Sequence, residues 1–281
     1  MKDTLTDVET ARKEFIKVAG NVKLHVTDLG DGSPVVFIHG WPLSDAMYEY
    51  QYQFLIKKGY RVIGITLRGF GESSKPYGKY DYDVFADDIH KVLIDLDIED
   101  AVLCGFSMGG AAVIRYVARH HGDRVRKLAL FGAAAPRWSK SDDFPIGSDK
   151  KAIDDLIYLN NSNRPKLLQV FGSIFTASEN SLAPELGQWL GGINLQASSY
   201  AMEQCLILLR DADLRSDLAA VKVPTAIFHG KEDKICPFEL AMVMKIGIPK
   251  AHVVVFEKSG HALFLEEVDK FNDELLRFIS E

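Results

Sequence analysis

Cysteine is scarce in this chain: three in 281 residues, Cys104, Cys205 and Cys236, widely spaced and never in a C-x-x-C pair. That argues against both a disulfide framework and a paired-cysteine zinc site. Runs of like charge long enough to act as a tail are missing, as are internal repeats and low-complexity tracts. Met1 to Lys17 mixes Asp, Glu, Lys and Arg without a continuous apolar segment. It reads as neither a signal peptide nor a membrane span, and points to the cytoplasm. Excess positive charge is lacking too: the formal net charge is -6 and the sequence pI near 5.8, which disfavours nucleic acid or an anionic membrane as partner. What remains is an ordinarily globular composition, long enough for one large α/β domain with a sizeable core. The expected ligand is a small molecule, and a homo-oligomer is compatible with all of this.

The patterning alternates strand and helix. Phe15–Val18, the turn Ala19-Gly20-Asn21 and Val22–Val26 predict an antiparallel hairpin, with His25 on its polar face and no assigned role. Val35–His39, Arg61–Thr66, Val102–Phe106 and Lys127–Phe131 are apolar runs of the kind buried on both faces in a parallel sheet. Helical spacing covers Tyr48–Lys58, Tyr82–Leu96 and Gly109–His121, the last two flanking the third of those runs. His120 and His121 fall in a last helical turn, where cations complement the dipole, and are read as structural. From Gly132 to Asp217 helical segments dominate and no clear buried strand appears. We expect an inserted helical cap over 133–217, with residues 1–132 and 218–281 forming the core. Trp138, Phe144, Phe171, Phe175, Trp189 and Leu190 are the candidates for an apolar pocket wall in that cap. The core resumes with Val223–His229, a helix opened by Pro237, the strand His252–Phe256 and a closing helix Phe264–Ile279. His229 and His252 are read as core or edge residues.

One stretch carries chemistry. Gly105-Phe106-Ser107-Met108-Gly109 follows a buried strand and leads into a helix, the pattern of a nucleophile elbow. Glycines two positions either side of Ser107 let strand and helix approach closely, and the helix start behind it favours developing negative charge. Two further strand ends supply partners. Asp233, in Gly230-Lys231-Glu232-Asp233, can orient an imidazole, with Glu232 as its rival, and His261, in Ser259-Gly260-His261, can serve as base. The chain order Ser, Asp, His is that of an α/β-hydrolase triad. The turn His39-Gly40-Trp41-Pro42 lies at another strand end, so the Trp41 amide joins that of Met108 as a candidate oxyanion donor.

Across nearly its whole length the chain resembles α/β-hydrolases, and bacterial arylesterases and cofactor-free haloperoxidases or perhydrolases in particular. The residues that carry the resemblance are His39-Gly40-Trp41-Pro42-Leu43, Gly105-Phe106-Ser107-Met108-Gly109-Gly110, Gly230-Lys231-Glu232-Asp233 and Gly260-His261. It implies an eight-stranded mostly parallel sheet flanked by helices, carboxylesterase activity on short-chain aryl and alkyl esters, no cofactor and no metal, and for some members peracid formation by the same triad. Thr66 departs from the common Asp before Leu-Arg-Gly, and Phe70 from a frequent His. Serine at position 107 argues against epoxide hydrolase and haloalkane dehalogenase, which place Asp there, and the lack of a Gly-Gly-Pro-Gly type turn disfavours an iminopeptidase. A non-catalytic binding protein on the same fold is the rival from another class.

Overall fold

The computed structural model describes Arg12 and residues 14–281; the remaining residues of the Met1–Lys17 segment lie outside the described ones. The chain opens with the hairpin β1 (Phe15–Ala19) and β2 (Val22–Leu29), joined through Gly20 at a positive φ of 52°. Six strands follow: β3 (Pro34–Ile38), β4 (Arg61–Ile65), β5 (Ala101–Phe106), β6 (Val125–Phe131), β7 (Thr225–Gly230) and β8 (Ala251–Phe256). Their order in the sheet is β1-β2-β4-β3-β5-β6-β7-β8, antiparallel at β1-β2 and β2-β4 and parallel from β4 to β8. The apolar runs of β5 and β7 are buried at every residue, as strands covered on both faces must be.

Helices α1 (Glu49–Lys57), α2 (Tyr82–Asp95) and α3 (Met108–Arg119) make the first crossovers. α2 is capped by Asp81, whose carboxylate accepts from the Val84 amide at 2.8 Å. Between β6 and β7 lie four helices: α4 (Lys150–Ser173), α5 (Pro184–Leu195), α6 (Ser199–Asp211) and α7 (Arg215–Leu218). α4 is broken at Asn163, where φ is -156°, two residues before Pro165, whose ring and missing N–H do not fit a continuous helix. α8 (Glu239–Gly247) starts two residues beyond Pro237. The closing segment is two helices, α9 (Leu263–Glu266) and α10 (Val268–Ser280), because Glu267 leaves helical geometry.

The topology already selects a place for a ligand. From β3 the chain steps to β4 on one side, then through α2 to β5 on the other side of β3. Beyond the carboxyl ends of β3 and β5 the two crossovers diverge and leave a crevice. The turns that leave those two strands carry Trp41 and Ser107.

Candidate active site

Ser107 connects β5 to α3 at φ 52° and ψ -119°, a backbone conformation that costs a non-glycine residue about 1–3 kcal/mol. Its surroundings hold it there. The Ser107 amide donates to the Phe131 carbonyl at 2.9 Å, and its own carbonyl accepts from Gly110 at 2.9 Å and Ala134 at 3.0 Å. A Cβ on Gly105 would sit 2.5 Å from the Gly109 carbonyl oxygen, and one on Gly109 2.4 Å from the His39 carbonyl oxygen, so neither position admits a side chain. The serine is nearly buried, with 6% exposure.

Asp233 and His261 come together from the ends of β7 and β8. The Asp233 Oδ2 is 2.7 Å from the His261 Nδ1, while its Oδ1 accepts from the Ile235 and Cys236 amides at 2.9 and 2.8 Å. Both carboxylate oxygens are thus engaged, and with Nδ1 taken by Asp233 the other ring nitrogen, Nε2, has no hydrogen-bond partner among the described residues. Glu232, the rival, is exposed. The His261 ring packs 4.6 Å from Phe106 and 5.5 Å from Phe175, centroid to centroid. Gly132, at φ 47°, leaves room for the pair: a Cβ there would approach His261 Nδ1 to 3.2 Å and Asp233 Oδ2 to 3.4 Å.

The turn after β3 is built around His39. Its Nε2 accepts from the Leu67 amide at 2.9 Å and its Nδ1 donates to the Gly40 carbonyl at 2.9 Å, which fixes the neutral tautomer. Burial holds the ring neutral, pushing its pKa down to about 4. Gly40 packs where a Cβ would meet Ser107 Cβ at 2.8 Å, so the Trp41 turn lies directly against the nucleophile's turn. Among the described residues neither the Trp41 nor the Met108 amide donates to a protein acceptor.

Several contributors were not legible as such in the sequence. His39 was visible only as part of a motif. Glu266 joins two segments, accepting from the Gly260 amide and the Ala177 amide, both at 2.8 Å; burial raises its pKa. The Cys236 thiol is fully buried, and burial pushes its pKa well up. His229 is fully buried, donating its Nε2–H to the Cys236 carbonyl at 2.7 Å and lying 3.6 Å from Asp233, a core residue packed behind the acid. The two departures at positions 66 and 70 are also accommodated. Thr66 hydrogen-bonds Asp45, and Phe70 packs edge-on against His39 at 5.3 Å.

A cavity of about 760 Å³ opens between α4, α5 and the turn at Trp41, lined among others by Trp41, Leu43, Leu168, Phe171, Phe175 and Leu190. Three of the expected wall residues, Phe171, Phe175 and Leu190, line it; the other three do not. Trp138 points instead toward the loop after β7, donating its indole N–H to the Ile235 carbonyl at 2.7 Å. Phe144 lies under the Arg215 guanidinium at 5.7 Å, and Trp189 packs edge-on against Tyr50 at 6.1 Å. Aromatic side chains in a helical segment serve packing and pocket alike, and sequence spacing does not separate the two.

Comparison with known proteins agrees in breadth. Residues 33–268 match the family model described as alpha/beta hydrolase fold. The chain is 48% identical over 264 residues to the AB hydrolase superfamily protein YisY of Bacillus subtilis, covering 94% of this chain and 98% of that one. Its structure superposes on the esterase EaEST from Exiguobacterium antarcticum with a TM-score of 0.93 at 42% identity, covering 96% and 100% of the two chains. It is also similar to a bromoperoxidase from Bacillus anthracis, with TM-score 0.90, 35% identity and coverage of 92% and 96%. Among the described residues no helix is long and apolar enough to cross a membrane.

Proposed function

Because the chain belongs to the α/β-hydrolase family, we propose that it is a serine carboxylesterase in which Ser107 is the nucleophile, His261 the general base and acid, and Asp233 the residue that orients His261. The observation that carries this reading is the 2.7 Å contact between Asp233 and His261 beside a serine held at φ 52°.

A serine hydroxyl is a weak nucleophile near neutral pH, so it needs a base to take its proton as it attacks the ester carbonyl. His261 Nε2 takes that proton, and Asp233 stabilises the imidazolium that forms while fixing the tautomer through Nδ1. Negative charge then develops on the former carbonyl oxygen. The Trp41 and Met108 amides receive it, each worth roughly a hundred- to a thousandfold in rate. His261 returns the proton to the departing alcohol, and water activated by the same imidazole releases the acid and regenerates Ser107. The buried, neutral His39 holds the Trp41 turn in register without adding charge.

The substrates proposed are short-chain aryl and alkyl esters. The cavity of about 760 Å³ supports aromatic or branched alcohol groups as well, and the helical segment 133–217 that walls it acts as a cap deciding among them. The bromoperoxidase likeness favours a second reading, peracid formation from a carboxylic acid and peroxide at the same triad. Both readings use the cytoplasm and a small-molecule substrate, and neither uses a cofactor.

The test is turnover of p-nitrophenyl acetate by the wild type and by Ser107→Ala. A loss of about a millionfold in kcat is expected for a nucleophile that works as part of a triad. Retention of most of the rate would refute the mechanism. Peroxide-dependent bromination, assayed separately, measures the second activity.

A further inference from the structure

Away from Ser107, the described residues bring Glu14, His25 and Glu72 together, with one ligand-capable atom from each lying within 4.8 Å of the others. We infer that these three side chains form a binding site for a divalent cation of the zinc class, which clips the β1-β2 hairpin to the loop that follows β4.

The site is supported from behind. The His25 Nδ1 lies 3.5 Å from Oδ1 of Asp45, which leaves Nε2 for an ion. Asp45 is only 2% exposed, it is anchored by the Thr66 hydroxyl, and its Oδ2 has no hydrogen-bond partner. The oxygen that faces His25 is Oδ1, while Oδ2 lies toward Gly64 and Tyr52; a buried carboxylate behind an imidazole is the arrangement that orients histidine ligands in metal sites. Three carboxylates therefore surround one imidazole. A divalent ion among them would offset that concentration of negative charge.

The three ligand positions are also fixed by the backbone. The Val26 amide donates to the Glu14 carbonyl at 2.8 Å, the His25 amide donates to the Ser73 hydroxyl at 2.8 Å, and that hydroxyl donates to the Thr66 carbonyl at 2.6 Å. Only the exposed glutamate side chains must rotate to close on an ion. One imidazole and two carboxylates suit zinc-class cations better than calcium or magnesium, which take oxygen ligands alone. Exposure leaves the remaining positions to water. The loop thus clipped includes Leu67, whose amide donates to His39, so the ion would brace the segment packed against the Trp41 turn.

The experiment uses the full chain, stripped with EDTA, titrated with Zn²⁺ at pH 8 by calorimetry and by thermal melting. Co²⁺ absorption reports ligand geometry. The variants are His25→Ala, Glu72→Gln and the two combined. His120→Ala is the control, because His90 and His120 stack at 4.1 Å beside Asp123 and Asp87 and offer an imidazole cluster elsewhere. Expected are one ion per chain, a higher melting temperature with the ion, affinity lowered about tenfold or more in each site variant, and no change in the control. Glu72 is exposed, so Glu72→Gln tests the site without threatening the fold. Absence of saturable binding at millimolar Zn²⁺ would overturn the proposal. So would binding that survives in the double variant, or that disappears with His120.

Discussion

Glycines mark a contrast between two regions of the molecule. In the elbow, Gly105 and Gly109 face backbone oxygens so closely that a methyl group would stand 2.4–2.5 Å from them, and Gly110 would collide with Ala133 at the same range. In the helical segment between β6 and β7, Gly172, Gly187, Gly191 and Gly192 have nothing within 4 Å of where a Cβ would be. One region is over-determined and the other is open. The chemistry is held by crossing strand, helix and turn, each leaving the next no freedom. The cavity beside the Trp41 turn is bounded by α4 and α5, whose glycines are free of such contacts. The helical segment is tied to the rest of the molecule by, among others, the Trp41 indole N–H donating to the Met202 carbonyl at 3.2 Å, Glu266 accepting from Ala177 and Gly260, and the Ala262 amide donating to the Phe175 carbonyl at 3.0 Å.

The contrast can be broken at either end. In the tight region, Asp233→Asn should preserve the fold and lower kcat for p-nitrophenyl acetate about ten-thousandfold, since the amide favours the wrong imidazole tautomer. A loss below about tenfold would remove Asp233 from the proposed triad. Gly109→Ala should destabilise by about 3 kcal/mol or abolish soluble expression, because the clash is with backbone and cannot be relieved by a rotamer; urea unfolding reads this.

Acid should act on the tight region as well. His39, fully buried with its pKa pushed down to about 4, is neutral when folded and protonates near 6.5 when unfolded. Its contribution is therefore complete above pH 6.5 and lost as pH falls toward 4, roughly 3 kcal/mol in all. His229, also lowered by burial, has the same sign. His25, raised by its bond to Asp45, has the opposite one: its contribution is present below 6.5 and fades as pH rises through its raised pKa. Lowered carboxylates such as Asp28 act only below about 3.8. The melting temperature should fall between pH 6.5 and 4.5; a flat or rising profile would contradict this account.

In the open region effects should be small and selective. Leu190→Trp, which intrudes on the cavity, should lower kcat/KM for a naphthyl ester about tenfold while leaving p-nitrophenyl acetate within about twofold. Gly191→Ala should leave acetate turnover intact and stabilise α5 by about 0.5–1 kcal/mol. Equal losses on both esters would show that this segment shapes the chemistry and not only the substrate.

The same contrast explains what was legible in the sequence. Buried parallel strands and the turns after them leave local signals, because burial on both faces demands continuous apolar runs and tight turns demand glycine; β3, β5, β7 and the positions of Ser107, Asp233 and His261 follow from these. The break of α4 at Asn163 had a local signal in Pro165, whereas the interruption at Glu267 had none, since helical spacing runs through it. Trp138, Phe144 and Trp189 share the residue type of the pocket wall but point elsewhere, because side-chain type does not encode direction. Glu266 gave no signal, since it works through a partner far along the chain.

Ser107 is the point on which the account rests. Treating the protein with an alkyl fluorophosphonate, then measuring intact mass and mapping the peptides, reports which hydroxyl the active site activates. The account predicts one adduct per chain, on Ser107, with esterase turnover lost in proportion, and greatly slowed labelling in His261→Ala. Turnover that persists with Ser107 fully labelled, or a stoichiometric adduct on any other residue, would contradict it.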